Sequence, residues 1–199
     1  EEALSETEKI LDLQPDHNVS LRRMAKILVH LSKYDEAAQC LNKAIEHFPN
    51  DAFLLHEAGK IYDRKKQPTL AIQYLEKAHQ IDPANSNIIL NLGKALHDIG
   101  RIDDAITVLE PAAHQHKDNH TLWSNLLMLS QYTYQFNRQA RFQLHRTWAE
   151  SVESNCDPLP LPDPSQESLD KVLRVGLVSA DLREHPVGYF LQSILENLP

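Results

Sequence analysis

Lys26, Lys60 and Lys94 stand 34 residues apart. An ammonium group repeated at fixed pitch makes a stripe that can meet the carboxylates or free backbone carbonyls of an extended polypeptide. Arg22 and Arg23 add two cations beside the first rung. Asn91 and Asn125 share a second position at the same interval; an amide both donates and accepts, so a row of them can grip a peptide backbone whatever its sequence. Arg23 and Glu57 interrupt that row. The competing reading is a lysine-bearing helix face that serves only solvation. Far along the chain, Asp181 and His185 lie in Ala180-Asp181-Leu182-Arg183-Glu184-His185-Pro186. An imidazole of ordinary pKa, near ~6.5, can accept a proton or a hydrogen bond. By residue type alone, however, the pair reads first as an aspartate capping a turn and a His-Pro pair shaping it. The densest group of histidines is His114, His116 and His120. Helical residues two apart point about 200° from one another, a poor start for a tetrahedral site, so solvated histidines and no metal are expected.

The elements that must position these residues follow from the same interval. Pro15, Pro49 and Pro83 keep it, and so do Ala3, Ala37, Ala71 and Ala105. This is the period of the tetratricopeptide repeat, a pair of antiparallel helices that stacks on its neighbours and leaves a long concave surface. In residues 52–85, Leu55, Ala58, Gly59 and Tyr62 occupy the first-helix template, and Ala71, Leu75, Ala78 and Pro83 the second. Gly59, Ala71 and Ala78 are small where helices approach closely, and Pro83 ends the second helix because it lacks an amide proton.

The reading divides the chain into a second helix of a truncated repeat at 1–17, full repeats at 18–51, 52–85 and 86–119, and a degenerate repeat with capping helices at 120–155. A proline-rich linker at 156–172 and the incomplete start of another lobe at 173–199 follow. A chain that opens and closes within a unit is expected to be a fragment of a longer protein, with self-association through the two cut ends as one consequence. First-helix positions facing the groove are Arg22, Arg23 and Lys26, then His56, Glu57 and Lys60, then Leu90, Asn91 and Lys94, then Ser124 and Asn125.

Composition narrows the partners. The 199 residues carry a formal net charge of −8, which argues against nucleic acid, because a duplex binder needs a basic face to release counterions. No window approaches the roughly 18 apolar residues of a membrane span, and the two cysteines form neither a disulfide framework nor a zinc spacing. A cytoplasmic protein that binds protein or peptide is expected, with no nucleic acid or membrane partner.

After the linker Asp157-Pro158-Leu159-Pro160-Leu161-Pro162-Asp163-Pro164, the run Leu173-Arg174-Val175-Gly176-Leu177-Val178-Ser179 reads as a buried parallel strand and Val187–Leu198 as an amphipathic helix. The loop between them falls where open α/β sheets bind ligands. Helical repeats, then His145-Arg146-Thr147-Trp148-Ala149-Glu150, then Arg174-Val175-Gly176-Leu177-Val178-Ser179-Ala180-Asp181 leading to His185-Pro186-Val187-Gly188-Tyr189-Phe190, resembles the O-GlcNAc transferase family and its bacterial and SPINDLY-type relatives. That resemblance implies an all-α tetratricopeptide superhelix followed by the first strand, loop and helix of a Rossmann-like lobe. It further implies transfer from a nucleotide sugar, UDP-GlcNAc, to Ser or Thr of proteins, with the donor held mainly by a second lobe. Asp181 and His185 match the cleft-lining Asp and His of the family, and the repeats would hold the acceptor through Arg22, Arg23, Lys26, Lys60, Lys94, Asn91 and Asn125. The fragment itself is expected to be inactive and to bind no cofactor. Two alternatives accompany this reading: a non-catalytic scaffold, and the same architecture turned to asparagine glucosylation or O-fucosylation.

Overall fold

In the computed structural model, residues 2–14, 17–154 and 191–192 are described. The chain divides into two units, Glu1–Asp157 and Pro158–Pro199. The described part of the first is helical throughout, with no strand: α1 (Glu2–Leu13), α2 (Asn18–His30), α3 (Tyr34–His47), α4 (Ala52–Arg64), α5 (Pro68–Ile81), α6 (Ser86–Asp98), α7 (Ile102–Gln115), α8 (His120–Leu129) and α9 (Arg138–Glu153). In the second unit only Leu191 and Gln192 are described, and both are helical. The proline-rich linker, the strand at 173–179 and the loop bearing Asp181 and His185 lie outside the described residues. Among the described residues, no helix is long and apolar enough to cross a membrane.

Each repeat is built by two local devices. The first helices are capped by side chains: Asp51 Oδ1 accepts from the N–H groups of Phe53 (3.0 Å) and Leu54 (3.2 Å), Asn85 Oδ1 from Asn87 N–H at 3.2 Å, and Asn119 Oδ1 from Leu122 N–H at 3.2 Å. His17 does the same for α2 through Nδ1, 3.3 Å from Ser20 N. These acceptors satisfy amide groups that have no partner within the helix. The second helices α3, α5 and α7 have no side-chain cap. They follow a tight turn in which Ser32, Lys66 and Gly100 take positive φ, at 60°, 59° and 81°. The next amide closes each turn on a carbonyl five residues back, Lys33 on Leu28, Gln67 on Tyr62 and Arg101 on Leu96, all at 2.9 Å. This is the left-handed stop that reverses a chain between antiparallel helices.

Packing then sets the stack. Ala37, Ala71 and Ala105 are fully buried, and a methyl group on Gly59 would sit 2.5 Å from Leu75 Cγ and 3.2 Å from the Ala71 carbonyl oxygen. The axes of α4 and α5 therefore approach to a distance that only the smallest residues allow. Between repeats, Leu55, Ala78 and Ile88 form one buried cluster, so Ala78 lies where α5 meets α6. A polar clasp joins three helices nearby. The Asn42 amide donates to the Tyr62 hydroxyl (3.0 Å) and accepts from the Tyr74 hydroxyl (3.1 Å), while the two tyrosine rings stack with centroids 5.3 Å apart.

The pattern changes at the last helix pair. α7 and α8 keep the register, but the connection after α8 runs from Ser130 to Asn137 and α9 begins at Arg138. Trp123 fills the extra space and is buried among Leu126, Leu127, Leu129 and Leu144.

Candidate functional site

α4 touches α6 and α6 touches α8, whereas no two second helices make contact of similar extent. First helices are therefore on the inside of the curve and second helices on the outside. The inner face carries the residues picked out by spacing, and their surroundings differ from rung to rung.

At the first rung, Arg22 forms an ion pair with Asp51 and lies over the Phe53 ring, 4.7 Å from its centroid. Lys26 Nζ lies over the same ring at 5.0 Å. Arg23 is exposed. The Asn18 amide also donates to Asp51 Oδ2 at 3.2 Å, so one carboxylate caps α4 and ties α2 to it. Burial pushes the Asp51 carboxyl up, but the hydrogen bonds from Arg22, Asn18 and the Leu54 amide outweigh it and the net displacement is downward.

The lysines of the second and third rungs are paired with carboxylates. Lys60 Nζ meets Glu57 Oε1 at 2.7 Å. Lys94 Nζ lies 2.9 Å from Asp63 Oδ2 and 2.8 Å from Asp98 Oδ2. The hydrogen bond it donates to Asp98, against the effect of burial, holds the Lys94 ammonium above the usual lysine range. Between these rungs the Asn91 amide nitrogen approaches His56 Nε2 to 2.7 Å, bridging α4 to α6. Burial first, and Lys60 second, depress the His56 imidazole, so at neutral pH the ring is uncharged and Nε2 can accept from Asn91. Lys60, Asp63, Arg64, Leu75, Asn91 and Lys94 enclose a cleft of ≈ 170 Å³. At the fourth rung the Asn125 amide is turned onto its own helix, donating to the Thr121 carbonyl at 2.8 Å.

Spacing thus identifies a shared row but not shared environments. Asp51 escaped the sequence reading, although an Asp directly before the run Ala52-Phe53-Leu54-Leu55 is an N-cap signal. Elsewhere, the His114 ring meets the edge of Trp123 at 5.1 Å. Among the described residues no three His, Cys, Asp or Glu side chains gather as metal ligands.

The depressed Asp51 pKa carries a stability consequence. A carboxyl with a lower pKa folded than unfolded stabilises the fold above its unfolded value, near ~3.9, and that contribution is lost as pH falls through the folded value. His56 works in the same direction at higher pH: the unfolded chain takes up its proton first, below ~6.5. Asp51→Asn keeps an acceptor for the α4 amides and removes the charge. Its urea midpoint is expected to fall at pH 7, by about 1 kcal/mol in stability, and to show a shallower decline between pH 5 and pH 3 than the parent. Parallel pH profiles would remove Asp51 as the group responsible.

A curved stack of helix pairs with a polar inner face is the architecture of a helical-repeat binding protein. Two tetratricopeptide repeat family models match overlapping stretches, residues 22–86 and 64–128, and residues 22–128 are tetratricopeptide repeats. A tetratricopeptide repeat-containing protein of Methanocaldococcus jannaschii is 28% identical over 98 residues, 49% of this chain and 17% of that protein. Human tetratricopeptide repeat protein 7B is 26% identical over 102 residues, 51% of this chain and 12% of the relative. The matches thus span a small part of either relative. Among solved structures, MamA superposes with a TM-score of 0.65 at 15% identity, covering 76% of this chain and 86% of MamA. YrrB, described as a tetratricopeptide repeat protein with an unusual peptide-binding site, gives 0.61 at 19% identity, with 76% and 81% covered. The first repeat domain of Spaghetti (RPAP3), bound to the HSP90 peptide SRMEEVD, gives 0.55 at 20% identity, with 58% and 91% covered.

Proposed function

We propose that the repeat array is a protein-interaction scaffold that holds an extended segment of a partner along the inner face of α2, α4, α6 and α8. The observation that carries this reading is the direct contact of α4 with α6 and of α6 with α8, which lines charged and amide side chains along one continuous trough. Such a face offers donors and acceptors to a peptide backbone over several residues. The peptide-binding descriptions of YrrB and of the Spaghetti domain support it. On this reading Arg22, Arg23, Lys26, Lys60, Asn91, Lys94 and Asn125 are contact residues or hold contact residues in place.

A library of displayed 15-residue segments, selected on residues 1–199 and followed by hydrogen exchange of the best complex, tests the proposal. Protection is expected on α2, α4, α6 and α8. Selection of no segment, or protection confined to α3, α5 and α7, would overturn it.

The string Arg174 to Asp181 with His185-Pro186 favours a second reading, in which the scaffold selects acceptors for a protein glycosyltransferase using UDP-GlcNAc or another nucleotide sugar. Asp181 and His185 would then line the transfer cleft. Incubating the complete protein with radiolabelled nucleotide sugars and segments selected by the groove tests it. Label in the bound segments would support it, and its absence with every donor would leave the scaffold alone.

A further inference from the structure

The inner face changes character along its length. In α2, Arg23 and Lys26 are exposed cations for which no carboxylate partner stands among the described residues, and Lys26 rests on the Phe53 ring. In α4 and α6, Lys60 is matched by Glu57 and Lys94 by both Asp63 and Asp98, while Arg64 donates to the Tyr34 hydroxyl. α8 carries no Asp, Glu, Lys or Arg at all. At the position of Lys26, Lys60 and Lys94 it has Met128, 43% exposed, and the exposed Tyr132 follows just beyond the helix. A cationic end and an uncharged end with an exposed thioether are three repeats apart.

We infer that the groove's partner is an extended acidic segment: carboxylates seat on Arg23 and Lys26, and an aliphatic or aromatic residue further along seats on Met128. This rests on the proposed scaffold reading and adds the chemistry of its ligand. Charge complementarity carries it, because the uncompensated positive charge of the row sits at one end while the chain as a whole is acidic, at −8. Packed helices lie about 10 Å apart, so three steps between successive first helices span roughly 30 Å. An extended chain covers that in about nine residues at ~3.3 Å each. The middle of the segment meets Lys60, Arg64 and Lys94 beside Glu57, Asp63 and Asp98, three charges of each sign, so it is read through its backbone and not through its side-chain charge.

The test uses residues 1–199 and fluorescein-labelled 12-residue peptides in anisotropy titrations. One peptide carries three Glu at one end and Leu nine positions on. Others replace the Glu by Gln, the Glu by Lys, or the Leu by Ser, and a fifth brings the Leu to four positions from the Glu. The first is expected to bind most tightly and to weaken with added salt. Arg23→Glu with Lys26→Glu should lower its affinity about tenfold, equivalent to ~1.4 kcal/mol, and should favour the Lys peptide instead. Met128→Lys should weaken the Leu peptide and leave the Ser peptide unchanged. Circular dichroism and the melting midpoint check that the variants remain folded. Equal affinity for the Glu and Gln peptides, or indifference to the Leu position, would overturn this inference while leaving the scaffold reading intact. Failure of all five peptides, with library-selected segments still binding the groove, would also overturn the inference alone. Failure of the peptides and of the library together would remove both.

Discussion

Replacing Trp123 by Ala is expected to lower stability by ~3–5 kcal/mol, the range for deleting a fully buried large aromatic side chain. Trp123 is 1% exposed and takes the place held by Leu21, Leu55 and Ile89 in the earlier repeats. It is larger than they are because α9 starts late and meets α8 without the tight pairing of α4 and α5. Its indole nitrogen is buried with no hydrogen-bond partner, so truncation removes packing, the edge contact with His114 included, and breaks no hydrogen bond of the indole. Trp123→Phe should therefore cost much less, within ~1.5 kcal/mol, since most of the volume remains. Because repeat arrays open from their ends, hydrogen exchange on Trp123→Ala should show protection lost from α8 and α9 first and retained in α4 to α7. A shift below ~1 kcal/mol, or uniform loss of protection, would show that Trp123 does not hold the terminal pair in place.

What the sequence made legible was geometry that recurs; what it concealed was chemistry that does not. The interval of Ala37, Ala71 and Ala105 locates the helix crossings because only a small side chain fits there. It even outweighs a local signal: Pro111 would by itself stop a helix, yet α7 continues to Gln115, with Ala112 and Ala113 held in the core. The cap positions His17, Asp51, Asn85 and Asn119 recur at the same interval, but four side chains of three types share one role. The left-handed turn residues Ser32, Lys66 and Gly100 hide likewise, because the backbone conformation repeats while the side chain varies.

The groove was legible as a row and illegible as a site. Lys60 finds Glu57 on its own helix, three residues away, whereas Lys94 reaches Asp63 on α4, and nothing in a 34-residue interval distinguishes these outcomes. Pairing of that kind depends on how far each first helix is rotated and tilted against the next. It follows from the packing of second helices against them, several residues removed in sequence. The end of the row is where the interval informs most, since Met128 breaks the run of lysines at a position whose place on the inner face is already fixed by Lys94.

The close approach of α4 and α5 supplies the second large effect. Ala71→Leu should cost ~1–3 kcal/mol through overpacking, because Ala71 is fully buried and faces the turn of α4 where even a single added methyl on Gly59 would collide with Leu75. Leu70, its sequence neighbour, is 40% exposed, and Leu70→Ala should change stability by no more than ~0.5 kcal/mol. Ala71 and Leu75 lie one turn apart on the same face of α5, so removing the Leu75 side chain makes room for the new one. Ala71→Leu combined with Leu75→Ala is expected to be less destabilised than the sum of the two single changes, by ~0.5–3 kcal/mol. α4 also bears His56, Lys60 and Asp63, so forcing it away from α5 disturbs the Asn91–His56 bridge and the Lys94–Asp63 pair as well. A displaced α4 should weaken peptide binding in Ala71→Leu even though Ala71 lies beneath the groove and cannot touch a ligand. Additive stabilities, or unaltered peptide affinity in a destabilised Ala71→Leu, would mean that the α4–α5 contact does not set the shape of the inner face.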